Sequence, residues 1–155
     1  MDNILIIGAH YDDTELGVGG TAAKLIQSGK KAYKITLTDT RVVSRDMNLD
    51  ISKEKVMQNS HSACECIGLE ELEFETALYG QLVYSQKTMQ ALEHIIIERK
   101  IDTVFFHFAD DYQLEDIFQW CTEYLQENVD PEIVGIEVCS DIIYHSSENR
   151  FDYDL

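Results

Sequence analysis

Basic side chains are scarce: lysine and arginine together number 12 against 29 aspartates and glutamates, a formal net charge of −17. That balance repels phosphate backbones, so nucleic acid is not an expected partner. Long apolar runs are missing as well. The stretch Ile4 to Ala9 is far shorter than the ~20 residues of a membrane helix, and no membrane insertion is expected. Met1-Asp2-Asn3 carries no basic region of the kind that opens a secretory signal, which points to a cytoplasmic location. Cys64, Cys66, Cys121 and Cys139 form no CxxC pair, which argues against a disulfide scaffold or zinc knuckle and for buried, reduced thiols. No internal repeat or low-complexity tract is present. The 155 residues, 45% of them hydrophobic, suffice for one core, so a single domain over 1–155 is expected.

What is present alternates. Asn3 to Ala9 is apolar and β-branched, as suits a strand buried on both faces. Leu16 to Ser28 has helical spacing and a stop at Gly29, and Ala32 to Thr38 reads as the next strand. Arg41 to Asp50 is polar and predicts an irregular loop, followed by a helix from Ile51 to Ile67 ended by Gly68 and a short strand near Leu72 to Phe74. Gln86 to Arg99 and Glu115 to Gln126 have helical spacing. Ile101 to Phe106 and Ile133 to Val138 read as strands, with Ile142 to Tyr144 extending the last or pairing nearby. Strands alternating with helices predict an α/β fold: a Rossmann-like three-layer sandwich with a mainly parallel central sheet. Such sheets bind ligands at the carboxyl ends of their strands. His10 to Asp13, Asp39 to Arg45 and His107 to Asp116 fall there.

The first of these segments carries the most chemistry. His10 and Asp13 place an imidazole and a carboxylate on a short loop after a rigid strand, a common start to a metal site. Asp12 lies between them and can face the attacking water as a general base. Asp12, Asp13 and Glu15 would repel one another unless a cation compensates, which itself argues for a metal. Helix capping by Asp13 or Thr14 is the competing explanation. Gly17-Val18-Gly19-Gly20-Thr21-Ala22 formally satisfies GxGxxA. Seven residues, His10 to Leu16, three of them acidic, separate those glycines from the strand, and a pyrophosphate would meet carboxylates, so dinucleotide binding is rejected.

Ala9-His10-Tyr11-Asp12-Asp13-Thr14-Glu15-Leu16-Gly17-Val18-Gly19-Gly20-Thr21 resembles the AHPDDxELGxGGT signature of the LmbE/PIG-L-like family of zinc-dependent sugar de-N-acylases. The likeness continues through Ser28-Gly29 and Ile35 to Asp39. It implies that His10 and Asp13 are zinc ligands and that Asp12 deprotonates the water that attacks an N-acyl carbonyl. Zinc lowers the pKa of its water towards ~7 and polarises the amide oxygen.

The chain departs from the family pattern in three places. Tyr11 stands where the family usually has proline, removing a fixed φ. In the second half, Gln113 takes the place of the oxyanion-stabilising histidine of an HxDH-like motif, and Asp116 that of the third zinc ligand. A His-Asp-Asp set shifts preference from zinc towards magnesium, manganese or calcium, and a neutral Gln113 donor is weaker than an imidazolium. The family also continues beyond Leu155, so the cleft is expected to be shorter or completed by another subunit, and a homo-oligomer stays open. His107 at a strand end is an alternative third ligand, while Arg41 and Arg45 are weaker candidates for holding substrate. His61, His94 and His145 have no spacing partners and read as structural or surface imidazoles. The resemblance implies a metal-dependent hydrolase acting on a small-molecule N-acyl sugar or sugar conjugate. The rival is a relative that has lost the chemistry and serves as a binding or assembly module.

Overall fold

The computed structural model describes residues 1–39, 42–44, 48–78, 85–107, 127 and 132–136. Its centre is β1 (Asn3–Gly8), where every residue from Ile4 onwards is buried, as an apolar run with no polar alternation demands. β2 (Lys31–Thr36) pairs with one edge of β1 and β8 (Thr103–His107) with the other, both in parallel. β6 (Glu70–Glu71) joins β2, and β9 (Glu132–Ile136) joins β8, again in parallel. The sheet order is β6-β2-β1-β8-β9. Two minor pairs complete the strands: β3 (Thr38–Asp39) with β7 (Ala77–Leu78), and β4 (Val42–Ser44) with β5 (Leu49–Ile51).

Alternate side chains of the central strands feed two cores. Ile4, Ile6, Ala32 and Phe105 pack with Val18 and Ala22 of α1 (Asp13–Gln27) and Cys64 of α2 (Lys53–Ile67). Leu5, Ile7, Tyr33, Ile35 and Val104 pack with Met89, Leu92 and Ile96 of α3 (Gln86–Glu98). Helices therefore cover both faces of a parallel sheet, the expected three layers. Among the described residues no helix is long and apolar enough to cross a membrane.

Local chemistry sets the boundaries. Ser52 and Ser85 cap α2 and α3, accepting hydrogen bonds from the backbone N–H of Lys55 and Thr88. Gly68 closes α2 in the left-handed region, with φ of 90°, the conformation that favours glycine at this position. Three expectations need correction. α1 begins at Asp13, not Leu16, because the acidic residues suit a first turn and the loop before them is only four residues long. The polar segment expected to be an irregular loop contains the antiparallel pair β4 and β5, whose strands of three residues each are too short for a periodicity to be read. The strand expected at Leu72 to Phe74 lies at Glu70–Glu71. Leu72 and Phe74 instead pack as loop residues against the α3-side core. The predicted helix from Glu115 to Gln126 and the segment Ile142 to Tyr144 lie outside the described residues.

Candidate active site

Strand order reverses direction of growth at β1: β2 and β6 extend one way, β8 and β9 the other. In an open parallel sheet this switch point leaves a crevice at the carboxyl ends of the two diverging strands. β1 ends at Gly8 and β8 at His107, and Ile6 is level with Phe105, so continuing that register by two residues sets the two ends side by side. The first loop, His10 to Asp13, leaves the sheet at this point.

The loop is held on all sides. Leu37 N–H donates to Gly8 O at 2.9 Å and Thr38 N–H to Ala9 O at 2.9 Å, with Thr38 Oγ1 donating to the same carbonyl at 2.6 Å. A Cβ on Gly8 would lie 2.9 Å from His10 O, so the turn can close only over glycine. His10 N–H donates to Asp13 Oδ2 at 2.7 Å, and His10 Nδ1 is 3.5 Å from the same oxygen. Asp13 is buried, while the His10 side chain is 24% exposed. An imidazole and a carboxylate thus converge at the mouth of the switch point. Asp12 occupies the N-cap position of α1, exposed and without a side-chain capping bond. Neither candidate caps the helix with its side chain: Asp13 turns back to the loop, and Thr14 Oγ1 makes no hydrogen bond among the described residues, while Asp13 and Glu15 do lie in the acidic first turn that a helix N-terminus favours.

Glu15 is matched from within the protein. Lys34 on β2, fully buried, donates from Nζ to Glu15 Oε1 at 2.7 Å, Tyr11 O at 2.6 Å and Ser60 Oγ at 2.8 Å. Ser60 Oγ donates in turn to Glu71 Oε1 at 3.0 Å, and Cys64 Sγ lies 3.7 Å from Glu15 Oε1. A buried ammonium is tolerated only when its donors are used, and this one ties the loop, α1, α2 and β6 together. Sequence reasoning missed it, and one of the three acids credited to a metal is compensated by this lysine. The available signal was phase: Lys34 alternates with Ala32 and Thr36 on one face of a buried strand.

Asp39 also has a partner, an ion pair with Lys53, and accepts from Thr76 Oγ1 at 3.5 Å. Burial raises the pKa of the Tyr11 hydroxyl, against a lowering by Lys53 and further raising by Glu71 and Asp39. Beside Tyr11 a cleft of about 840 Å³ opens between α2 and residues 71–76. Tyr11, Thr36, His61, Glu71, Glu73 and Phe74 are among its walls, and His61 Nδ1 is 3.5 Å from Glu71 Oε2. His61 and His94 are exposed, as expected of surface imidazoles. Cys64 is buried, whereas Cys66 is exposed, contrary to the expectation of buried thiols. The reason is spacing, since residues two apart on a helix face opposite ways.

The structure brings His10 and Asp13 together, with Asp12 between them in sequence and exposed at the start of α1. It places the backbone of His107 at the neighbouring strand end. Arg41, Arg45, Gln113, Asp116, Cys121, Cys139 and His145 lie outside the described residues. Among the described residues no three His, Cys, Asp or Glu side chains gather as a metal site.

A family model described as PIG-L, GlcNAc-PI de-N-acetylase, matches residues 5–116. The A40926 pseudoaglycone deacetylase Dbv21 is similar in structure, with a TM-score of 0.69 and 16% identity over 98% of this chain and 68% of that one. The 4-carboxy-2-hydroxymuconate hydratase GalB from Pseudomonas putida KT2440 has a TM-score of 0.66 and 18% identity over 87% of this chain and 62% of its own. The N,N'-diacetylchitobiose deacetylase from Pyrococcus horikoshii has a TM-score of 0.56 and 20% identity over 72% of this chain. This chain spans only 44% of that enzyme. At these identities the likeness establishes the fold.

Proposed function

The chain belongs to the PIG-L family, the GlcNAc-PI de-N-acetylases, and on that premise we propose that it hydrolyses the N-acyl group of an amino sugar or sugar conjugate. The observation that carries this reading is the convergence of His10 and Asp13 on one loop at the switch point of the sheet. Their 3.5 Å separation is close to the roughly 3.4 Å between two ligands of a tetrahedral ion with bonds of about 2.0–2.1 Å. The donor set therefore fits a divalent cation. His10 and Asp13 would hold it, with Asp116 completing the set by resemblance and His107 as the alternative. Bound there, zinc supplies Lewis acidity and lowers the pKa of water towards about 7. A second carboxylate ligand favours magnesium, manganese or calcium more than an all-histidine set does.

The chain's own residues carry the proton chemistry. Asp12, exposed beside the pair and unused as a cap, takes a proton from the attacking water as the carbon–oxygen bond forms. It returns that proton to the departing nitrogen as the carbon–nitrogen bond breaks, and the acid's remaining proton passes to the amine, leaving a carboxylate and an ammonium. Gln113 donates to the developing oxyanion, and Arg41 and Arg45 hold the substrate's polar groups. The backbone hydrogen bonds that clamp Gly8 and Ala9 keep the loop rigid, as a preorganised site requires. The observation behind a second reading, a binding module of the same fold, is the replacement of both second-half histidines by Gln113 and Asp116.

Asp12→Asn should lower amine release from N-acetylglucosamine conjugates by about 10²–10⁴-fold with metal content unchanged. Asp13→Asn should lower both. Metal loss in Asp12→Asn would overturn the division of roles. No metal and no release by the intact, folded chain would favour the binding module.

A further inference from the structure

The cleft beside the first loop holds chemistry that hydrolysis does not use. Thr36 lines it, only 4% exposed, and its Oγ1 is buried and makes no hydrogen bond among the described residues. A buried hydroxyl without a partner costs about 1–3 kcal/mol. One lining an open cleft is satisfied when a ligand brings a polar atom to it. The walls are mixed, apolar from Tyr11 and Phe74 and anionic from Glu71, Glu73 and Glu75, the combination of apolar surface and few polar anchors typical of small-molecule sites.

Among the described residues the charges facing the cleft do not cancel. Lys53 is paired with Asp39 and Lys87 with Glu75. Glu71 accepts from Ser60 and faces the His61 imidazole. Glu73 is exposed and makes no ion pair among the described residues. An anionic ligand is repelled here and a cationic one attracted. Tyr11, the residue that replaces the proline of the family signature, is shared, since it walls the cleft and joins His10 to Asp12 in the loop.

We propose that this cleft binds an amino sugar with a free ammonium group, its charge towards Glu71 and Glu73, its ring against Tyr11 and Phe74, and a hydroxyl or ring oxygen at Thr36. The choice of a sugar rests on the hydrolase reading. A saccharide already partly freed of its acyl groups is such a ligand.

The test is calorimetric titration of the full chain with the β-1,4 disaccharide of glucosamine and, separately, with its N,N'-diacetyl form. The free amine should bind about tenfold more tightly, and added salt should erase the difference. Glu73→Gln, at an exposed position, should weaken the free amine by about three- to fivefold, the loss of one partly exposed ion pair. It should leave the diacetyl form unaffected. Thr36→Val should weaken both sugars equally. Equal affinity for the two, no binding of either, or an unaltered affinity in Glu73→Gln would overturn the proposal. Amine release, followed on the same samples, separates the two readings. Selective binding without release leaves the cleft site standing and removes the hydrolase; release without selectivity does the reverse.

Discussion

Cys64 and Cys66 stand two residues apart on α2 and have opposite surroundings. Burial pushes the Cys64 thiol up to about 12, with Lys34 opposing that shift and Glu15 and Glu71 adding to it. Thiolate is the reactive form, so at pH 8 Cys64 is inert, whereas Cys66 is open to solvent. Brief alkylation of the folded chain with iodoacetamide should modify Cys66 and spare Cys64. Peptide mass mapping checks this, and equal labelling would show that the contacts around Cys64 open on the timescale of the reaction. A similar asymmetry separates the neighbours Asp12 and Asp13. One is exposed at the start of α1 and the other is buried against the His10 backbone. Adjacent residues with the same carboxylate thus have different surroundings because the chain turns between them.

At the scale of elements, Lys34 is the point where β2, the first loop, α1 and α2 meet. Lys34→Met removes the cation and leaves Glu15 facing apolar surroundings, a change expected to cost about 3 kcal/mol. Adding Glu15→Gln should restore part of that loss. Denaturant unfolding of the two single variants and the double variant checks this, and strictly additive losses would show that the pair is not coupled. Much of the element pattern was legible in the sequence. β1 and β8 are largely apolar runs between stops, β2 alternates, and Gly68 marks the end of α2 by the one backbone conformation it adopts. The pair β4 and β5 was not legible, because strands of three residues are too short to show a periodicity. Nor was the role of Lys34, whose partners come from residues 19 to 26 positions distant in the sequence. Of the candidate site, the signature pointed to the loop His10 to Asp13, and the fold brings His10 Nδ1 within 3.5 Å of Asp13 Oδ2; groups supplied from distant parts of the chain leave no local pattern beside that loop.

At the scale of the whole molecule, sheet order places the loop after β1 at the crevice, and charge governs how that scaffold responds to its medium. With 29 acidic and 12 basic residues, pairing every cation with one acid would still leave 17 acids unmatched. Pairs such as Lys30 with Asp2 and Arg99 with Glu70 are partly or largely exposed and contribute less than about 1 kcal/mol each. Salt weakens these attractions and the repulsion among the excess carboxylates together. The repulsive set is larger and acts over longer distances, so screening it should dominate. Raising sodium chloride from 20 to 500 mM, roughly a change in screening length from 20 Å to 4 Å, should therefore raise the melting temperature by several degrees. Scanning calorimetry measures it, with choline chloride at equal ionic strength as the control. An equal rise in both salts marks general screening, and a rise in sodium chloride alone marks a sodium site. A fall in both would mean that the ion pairs outweigh the repulsion and that the acidic surface is not a net strain on the fold.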